Sequence, residues 1–307
     1  MQQALRNRLT FGPLMLGALI VILELDLRIE HWTSGWIAGS DGRHYGLCGV
    51  GLFVILMLLL PLATQELATL FSAEKVRPYR FLAAAGSGLL TLHAFLTQFA
   101  WFQRIAASAF AFALVLVMIL AAVRRVWGRN THEAITHMAG TVLATLYLGG
   151  LGWFLLALRV KHSMNFTHGY QGSTESILMI LLTVKSADIG AFTFGSLFGQ
   201  HKLIPWLSPR KSWEGLFGGL AVAALVGLVC VEVWQRQLPT LSPIKGCLFG
   251  AIIGLVGQAG DLLESLMKRD AEVKDSGHLI PGFGGVLDVI DSPLLAAPVA
   301  YLLFSWS

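Results

Sequence analysis

The sequence predicts an all-α polytopic integral membrane bundle of about nine transmembrane helices. Three observations carry that expectation. Hydrophobic residues make up 55% of the chain and charged residues only 13%. The mean hydropathy is +0.67. Apolar runs close to twenty residues recur from end to end, and about twenty residues of helix are needed to cross the hydrocarbon core of a bilayer. Candidate spans fall at about 11–26, 46–64, 81–100, 105–123, 136–158, 177–198, 215–235, 244–267 and 287–306. No polar linker separates them, so residues 1–135 (scaffold) and 136–307 (which carry the chemistry) are expected to form one continuous bundle.

Taken in order, the first run follows Arg6 and Arg8 in the manner of a signal peptide, but no small-x-small cleavage site follows, so an uncleaved first span is expected. Asp26, Arg28, Glu30, Asp41 and Arg43 read as a solvated hairpin outside the membrane. Pro61, Gln65 and Glu66, near the end of the second span, read as helix-end polarity ahead of a functional role. Trp32, Trp36, Trp101, Trp127 and Trp153 suit interfacial anchors. Cys48, Cys230 and Cys247 show no metal-ligand spacing and read as free thiols in apolar surroundings. His132-Glu133-Ala134-Ile135-Thr136-His137 superficially resembles a zinc motif. Its histidines are five apart rather than four, which turns them to different faces of a helix, so no zinc is expected. His162, Asn165, Thr167 and His168 read as solvated loop residues. Basic residues are scattered between spans and not gathered on one element, so no nucleic-acid partner is expected.

The scatter has an order of its own. Of the 22 lysines and arginines, fourteen fall in loops on one side and seven on the other, with Lys185 inside a span. By the positive-inside rule this bias places the N-terminus and both polar loops described next in the cytoplasm.

Chemistry gathers in the C-terminal half. Lys185 and Asp188 lie mid-span at i and i+3. Such charges are costly against lipid, so they are expected to pair on one face that lines a cavity. The loop from Gly199 to Gly215 contains Pro205 and Pro209, which break helix, and the cations Lys202, Arg210 and Lys211. Gly246, Gly250, Gly254, Gly257 and Gly260 in the eighth span suit close helix packing that positions Asp261. No GxxxxGK[ST] phosphate loop occurs, which argues against a P-loop ATPase.

The densest stretch is Asp261–Ser292, where ten of thirty-two residues are charged. Carboxylates hold Mg²⁺, lysine and arginine neutralise phosphate oxygens, and a glycine turn lets backbone N–H groups approach an anion. Asp261, Ser265 and Lys268 share a helix face, and Asp288 and Asp291 share another. If the Pro281–Gly285 turn folds the two helices antiparallel, Asp261 and Asp288 meet as a metal-binding pair. Glu264, Asp270 and Glu272 are left open between site and solvated loop.

Ser265-Leu-Met-Lys268-Arg269, Lys274-Asp275, Pro281-Gly-Phe-Gly-Gly285 and Asp288-Val-Ile-Asp291-Ser292 together resemble the C-terminal signature of phosphatidate cytidylyltransferases (CDP-diacylglycerol synthases). A second block agrees, from Asp188 through Gly195 and Gly199 to Ser208-Pro-Arg-Lys-Ser-Trp-Glu-Gly215. The resemblance covers about residues 185–292. Phe283 stands where the family commonly has His, and Val289 where it has Arg. The resemblance implies CMP transfer from CTP to phosphatidic acid in phospholipid biosynthesis, Mg²⁺, a monovalent cation such as K⁺, a homodimer, and an inner-membrane protein whose site faces the cytoplasm. It implies catalytic roles for Asp261, Lys268 and Asp288, and metal ligation by Asp261, Asp288, Asp291 and Asp188. Substrate contacts fall to Ser208, Arg210, Lys211, Ser265, Arg269, Lys274, Gly284 and Gly285. Two alternatives stay open on the residues alone: a CTP-using enzyme acting on a polyprenol or archaeal lipid, and a secondary transporter.

Overall fold

Helices dominate because an apolar run in lipid must satisfy every backbone polar group within itself. A computed structural model describes residues 2–38, 44–73, 76–129, 131–165 and 173–306. Asp41, Arg43, Lys75, Phe166, Thr167 and His168 lie outside the described residues, as do the side chains of residues 2–9 and 161–165. Eight of the described helices are long and apolar enough to cross a membrane, joined by a shorter apolar helix at Arg80–Leu96. The chain divides into two compact units.

The first unit comprises residues 1–165 and 270–289. Its elements are α1 (Gln2–Trp32), the short antiparallel pair β1 (Ile37–Ala38) and β2 (His44–Tyr45), α2 (Val50–Ala73), α3 (Arg80–Leu96), the single turn α4 (Ala100–Gln103), α5 (Ala106–Trp127), α6 (Ala134–Thr145) and α7 (Leu151–Asn165). A π-helical turn, Leu146–Gly150, joins α6 to α7 without a break. The expected span 81–100 stops at Leu96. Thr97 turns its hydroxyl onto Ala94 O at 2.6 Å, and the Gln98 side chain is drawn inward to Cys48 N at 3.0 Å. At 1.5 Å per residue this 17-residue helix falls short of the roughly 30 Å hydrocarbon core.

The expected solvated hairpin after α1 is corrected. Asp26 and Glu30 are not solvated: both are buried on α1. Arg159 of α7 reaches them, with Nε 2.9 Å from Asp26 Oδ2 and Nη2 2.6 Å from Glu30 Oε2. Asp26 Oδ1 also accepts from Gly51 N at 3.0 Å. Only Arg28 of that expected hairpin, paired with Glu24 at 3.4 Å, is an exposed charge among the described residues. Trp153 is half-buried. Its indole N–H donates to His93 Nδ1 at 2.9 Å, and His93 Nε2 bonds Ala106 O at 2.8 Å, within a cluster of Phe102 and Phe110. Trp32, Trp36, Trp101 and Trp127 are exposed, as anchors would be. His137 bonds Arg77 O and stacks on Tyr79, whereas His132 lies beside Glu133.

The second unit comprises residues 166–269 and 290–307. It holds α8 (Ser173–Phe198), an antiparallel hairpin of β3 (Lys202–Ile204) and β4 (Ser208–Ser212), α9 (Trp213–Val233), α10 (Pro243–Asp270) and most of α11 (Leu287–Trp306). Glycines set its helix spacing, as the sequence suggests. A Cβ at Gly254 would press on Ala223 of α9 at 2.7 Å, and one at Gly257 would meet Val184 of α8 at 3.1 Å. β4 runs directly into α9, and Ser212 caps that helix by accepting from Gly215 N at 3.1 Å. Cys48 and Cys230 are buried and Cys247 half-buried, and none of the three is in a disulfide.

Candidate active site

In the second unit, three acids converge. Asp261 and Glu264 project from the same stretch of α10, and Asp291 from α11, each offering an oxygen within 4.8 Å of the others. Gly260 makes this possible. A Cβ there would sit 3.0 Å from Ser292 Cα and 3.2 Å from Asp291 O, so its absence lets α10 and α11 approach beside the acids. Glu264 and Asp291 are almost wholly buried, while Asp261 is partly open.

Cations ring the trio. Lys211 Nζ lies 2.6 Å from Asp261 Oδ2, and Lys268 Nζ lies 3.0 Å from Glu264 Oε2. Lys211 also donates to Gln258 Oε1 at 3.2 Å, and Gln258 Nε2 donates to Asp188 Oδ1 at 2.8 Å. Asp188 is paired with Lys185 at 3.6 Å, the i, i+3 contact the sequence suggests. Arg269 reaches Leu207 O at 3.5 Å from the end of α10. Ser265 and Ser208 are half-buried and Arg210 is exposed. An all-oxygen carboxylate set suits a hard divalent cation such as Mg²⁺, and the neighbouring ammonium groups suit phosphate oxygens.

The first unit carries the glycine turn. Asp288 Oδ2 accepts from Gly285 N at 2.7 Å, Ser276 N at 3.0 Å and Ser276 Oγ at 2.9 Å, which seats the start of α11. Gly284 has φ +105°, a conformation that strains any side-chain-bearing residue there. Gly284 N donates to Ile280 O and Gly285 N to Asp288, so these two N–H groups are engaged within the protein. Lys274 is exposed in the same segment. Phe283 is packed, its ring tip 3.5 Å from where a Cβ of Gly12 would lie.

Sequence reasoning weighted Glu66 toward helix-end polarity and left it out of the expected site. This buried carboxylate on α2 accepts from Val286 N at 3.0 Å, Leu287 N at 2.8 Å and Ser276 Oγ at 3.3 Å. It is therefore the anchor of the turn, not helix-end polarity. Its signal in the sequence was a lone acid inside an apolar run, where an unpartnered charge is expensive. Glu66→Ala leaves two buried N–H groups without acceptors. At about 1–3 kcal/mol for each, thermal stability in detergent should fall and amide exchange at 286–287 should quicken. Unchanged protection at those two amides would remove the anchoring role.

Gln258 and Glu264 join the expected residues: Glu264 was left open, and Gln258 was not marked because an uncharged amide carries no sequence signal. The structure thus brings together Asp261, Asp291, Asp188, Lys211 and Lys268 in one unit, and Asp288, Gly284 and Gly285 in the turn of the other.

Comparison with known proteins bears on this arrangement. The cytidylyltransferase family profile matches residues 45–307. A phosphatidate cytidylyltransferase of Bacillus subtilis is 30% identical over 263 residues, covering 83% of this chain and 93% of that protein. One from Haemophilus influenzae is 34% identical, covering 63% of this chain and 64% of its own length. One from Synechocystis reaches 44% over 124 residues, or 40% of this chain and 41% of that protein. The matched region takes in both units, with the acid trio of one and the glycine turn of the other. This chain belongs to the cytidylyltransferase family.

Proposed function

We propose that this multi-pass membrane protein transfers CMP from CTP to phosphatidic acid, giving CDP-diacylglycerol and pyrophosphate. The observation that carries the reading is the meeting of Asp261, Glu264 and Asp291 with Lys211 and Lys268, in a chain whose relatives bear that activity in their names. A phosphate oxygen of phosphatidic acid attacks the α-phosphorus of CTP. The new P–O bond forms as the bond to the β-phosphate breaks, and its electron pair leaves with pyrophosphate. The nucleophile is already anionic, so the protein needs alignment and charge neutralisation more than a strong base.

Each residue then has a defined task. Asp261, Glu264 and Asp291 would hold Mg²⁺, which when bound neutralises phosphate charge as a Lewis acid. Lys211 and Lys268 bring ammonium groups to phosphate oxygens, and Arg269 adds a guanidinium at the end of α10. The burial of Glu264 and Asp291 keeps water away from one side of the trio. The lysine and arginine bias supports a site open to the cytoplasmic side of the inner membrane, and the family resemblance supports a homodimer.

The test is a labelled nucleotide panel with phosphatidic acid, in purified protein, following lipid product and pyrophosphate together. CTP is expected to label the lipid with one pyrophosphate released per product. Labelling of a polyprenyl phosphate but not of phosphatidic acid would overturn the substrate, and pyrophosphate release without labelled lipid would overturn the transfer.

A further inference from the structure

We propose that Gln258 is a positioning residue for Lys211. It lies on α10 nearly one turn before Asp261, only 6% exposed, and no part of either signature block includes it. Its amide does two jobs at once. Nε2 donates to Asp188 Oδ1 at 2.8 Å, and Oε1 accepts from Lys211 Nζ at 3.2 Å. The backbone oxygen of Gln258 lies 3.4 Å from the same ammonium, and Asp261 Oδ2 lies 2.6 Å from it. An ammonium has three N–H donors, so these three oxygens account for all of them.

Only an amide fits between these neighbours. Glutamate would set a second negative charge against Asp188, lysine would repel Lys211, and an apolar side chain would leave both unserved. Asp188, held in turn by Lys185, fixes the amide's orientation, so the carbonyl faces Lys211. The lysine stem is long and flexible, and without the amide its ammonium is held only by Asp261 and the Gln258 backbone oxygen. When a phosphate oxygen competes for Lys211, the ammonium is able to leave Asp261 and keep both Gln258 contacts. Gln258 thus delivers Lys211 to the phosphate and frees Asp261 for its own ligand. This rests on the reading of Lys211 as a phosphate contact.

A double-mutant cycle tests it, using Gln258→Met, which keeps the unbranched shape but neither donates nor accepts as an amide does, and Lys211→Met. Gln258→Leu is a second variant should the first extract poorly from membranes. In the wild-type background Gln258→Met should lower kcat/KM for CTP roughly 10- to 100-fold. In the Lys211→Met background the same change should cost less than about twofold, because the group it positions is gone. Where turnover of Lys211→Met is too slow, the cycle is read in the Kd for CTP. Losses that simply multiply mean Gln258 acts elsewhere, and the proposal fails while the Lys211 reading stands. A Lys211→Met protein with wild-type kcat/KM removes both.

Discussion

An Asp261→Asn protein should insert and melt like the wild type, while CMP transfer falls about 10²–10³-fold, the usual loss when one electrostatic stabiliser is removed. The substitution is nearly isosteric, and the carboxylate is 38% exposed, so the fold asks little of its charge. The trio asks much more. Removing one of its three charges weakens any hold on a divalent cation, and it also takes the charge from the 2.6 Å contact with Lys211. The measurement is labelled CDP-diacylglycerol formed by detergent-purified protein, titrated with Mg²⁺. A rate within about threefold of wild type at all Mg²⁺ concentrations would remove Asp261 from the site.

The largest stability effect should come from Arg159→Met. Arg159, Asp26 and Glu30 are each about 1% exposed or less. Two carboxylates therefore share one guanidinium with almost no water. Taking away one partner of a buried pair typically costs about 3–5 kcal/mol, because the remaining acids lose the cation that offsets their desolvation. Unfolding of Arg159→Met in detergent should register a loss of that size. The triple change Asp26→Asn, Glu30→Gln, Arg159→Met, which buries no charge, should recover part of it. A single-variant loss below about 1 kcal/mol would mean that the acids find other partners.

These two cases show what the chain discloses by inspection and what it conceals. Lys185 and Asp188 pair three residues apart, and the glycines of α10 recur at helical intervals, so both were legible from local spacing. Asp26 and Glu30 looked solvated because they sit at the ragged end of an apolar run. Their partner lies 133 and 129 residues away, where no local pattern reaches. Glu66 is further still, 220 and 221 residues from the amides it serves. The grouping of Glu264 with Asp261 and Asp291 depends on the approach of two helices at Gly260, and spacing along one helix does not reveal which acid of several will face its neighbour. The third expected span stopped early because Gln98 found a partner fifty residues back at Cys48.

The wide turn at Leu146–Gly150 has a consequence for that buried arginine. A π turn accommodates about one more residue than the α turn it replaces, and each residue of an α-helix advances the azimuth by about 100°. Everything after Gly150 is thus phased as if one residue had been slipped into a regular rod. Arg159, nine positions on, owes its inward bearing to that slip. Deleting a single residue from the turn would leave the composition and length of the rod almost untouched, yet swing the guanidinium about a quarter-turn off its two acids.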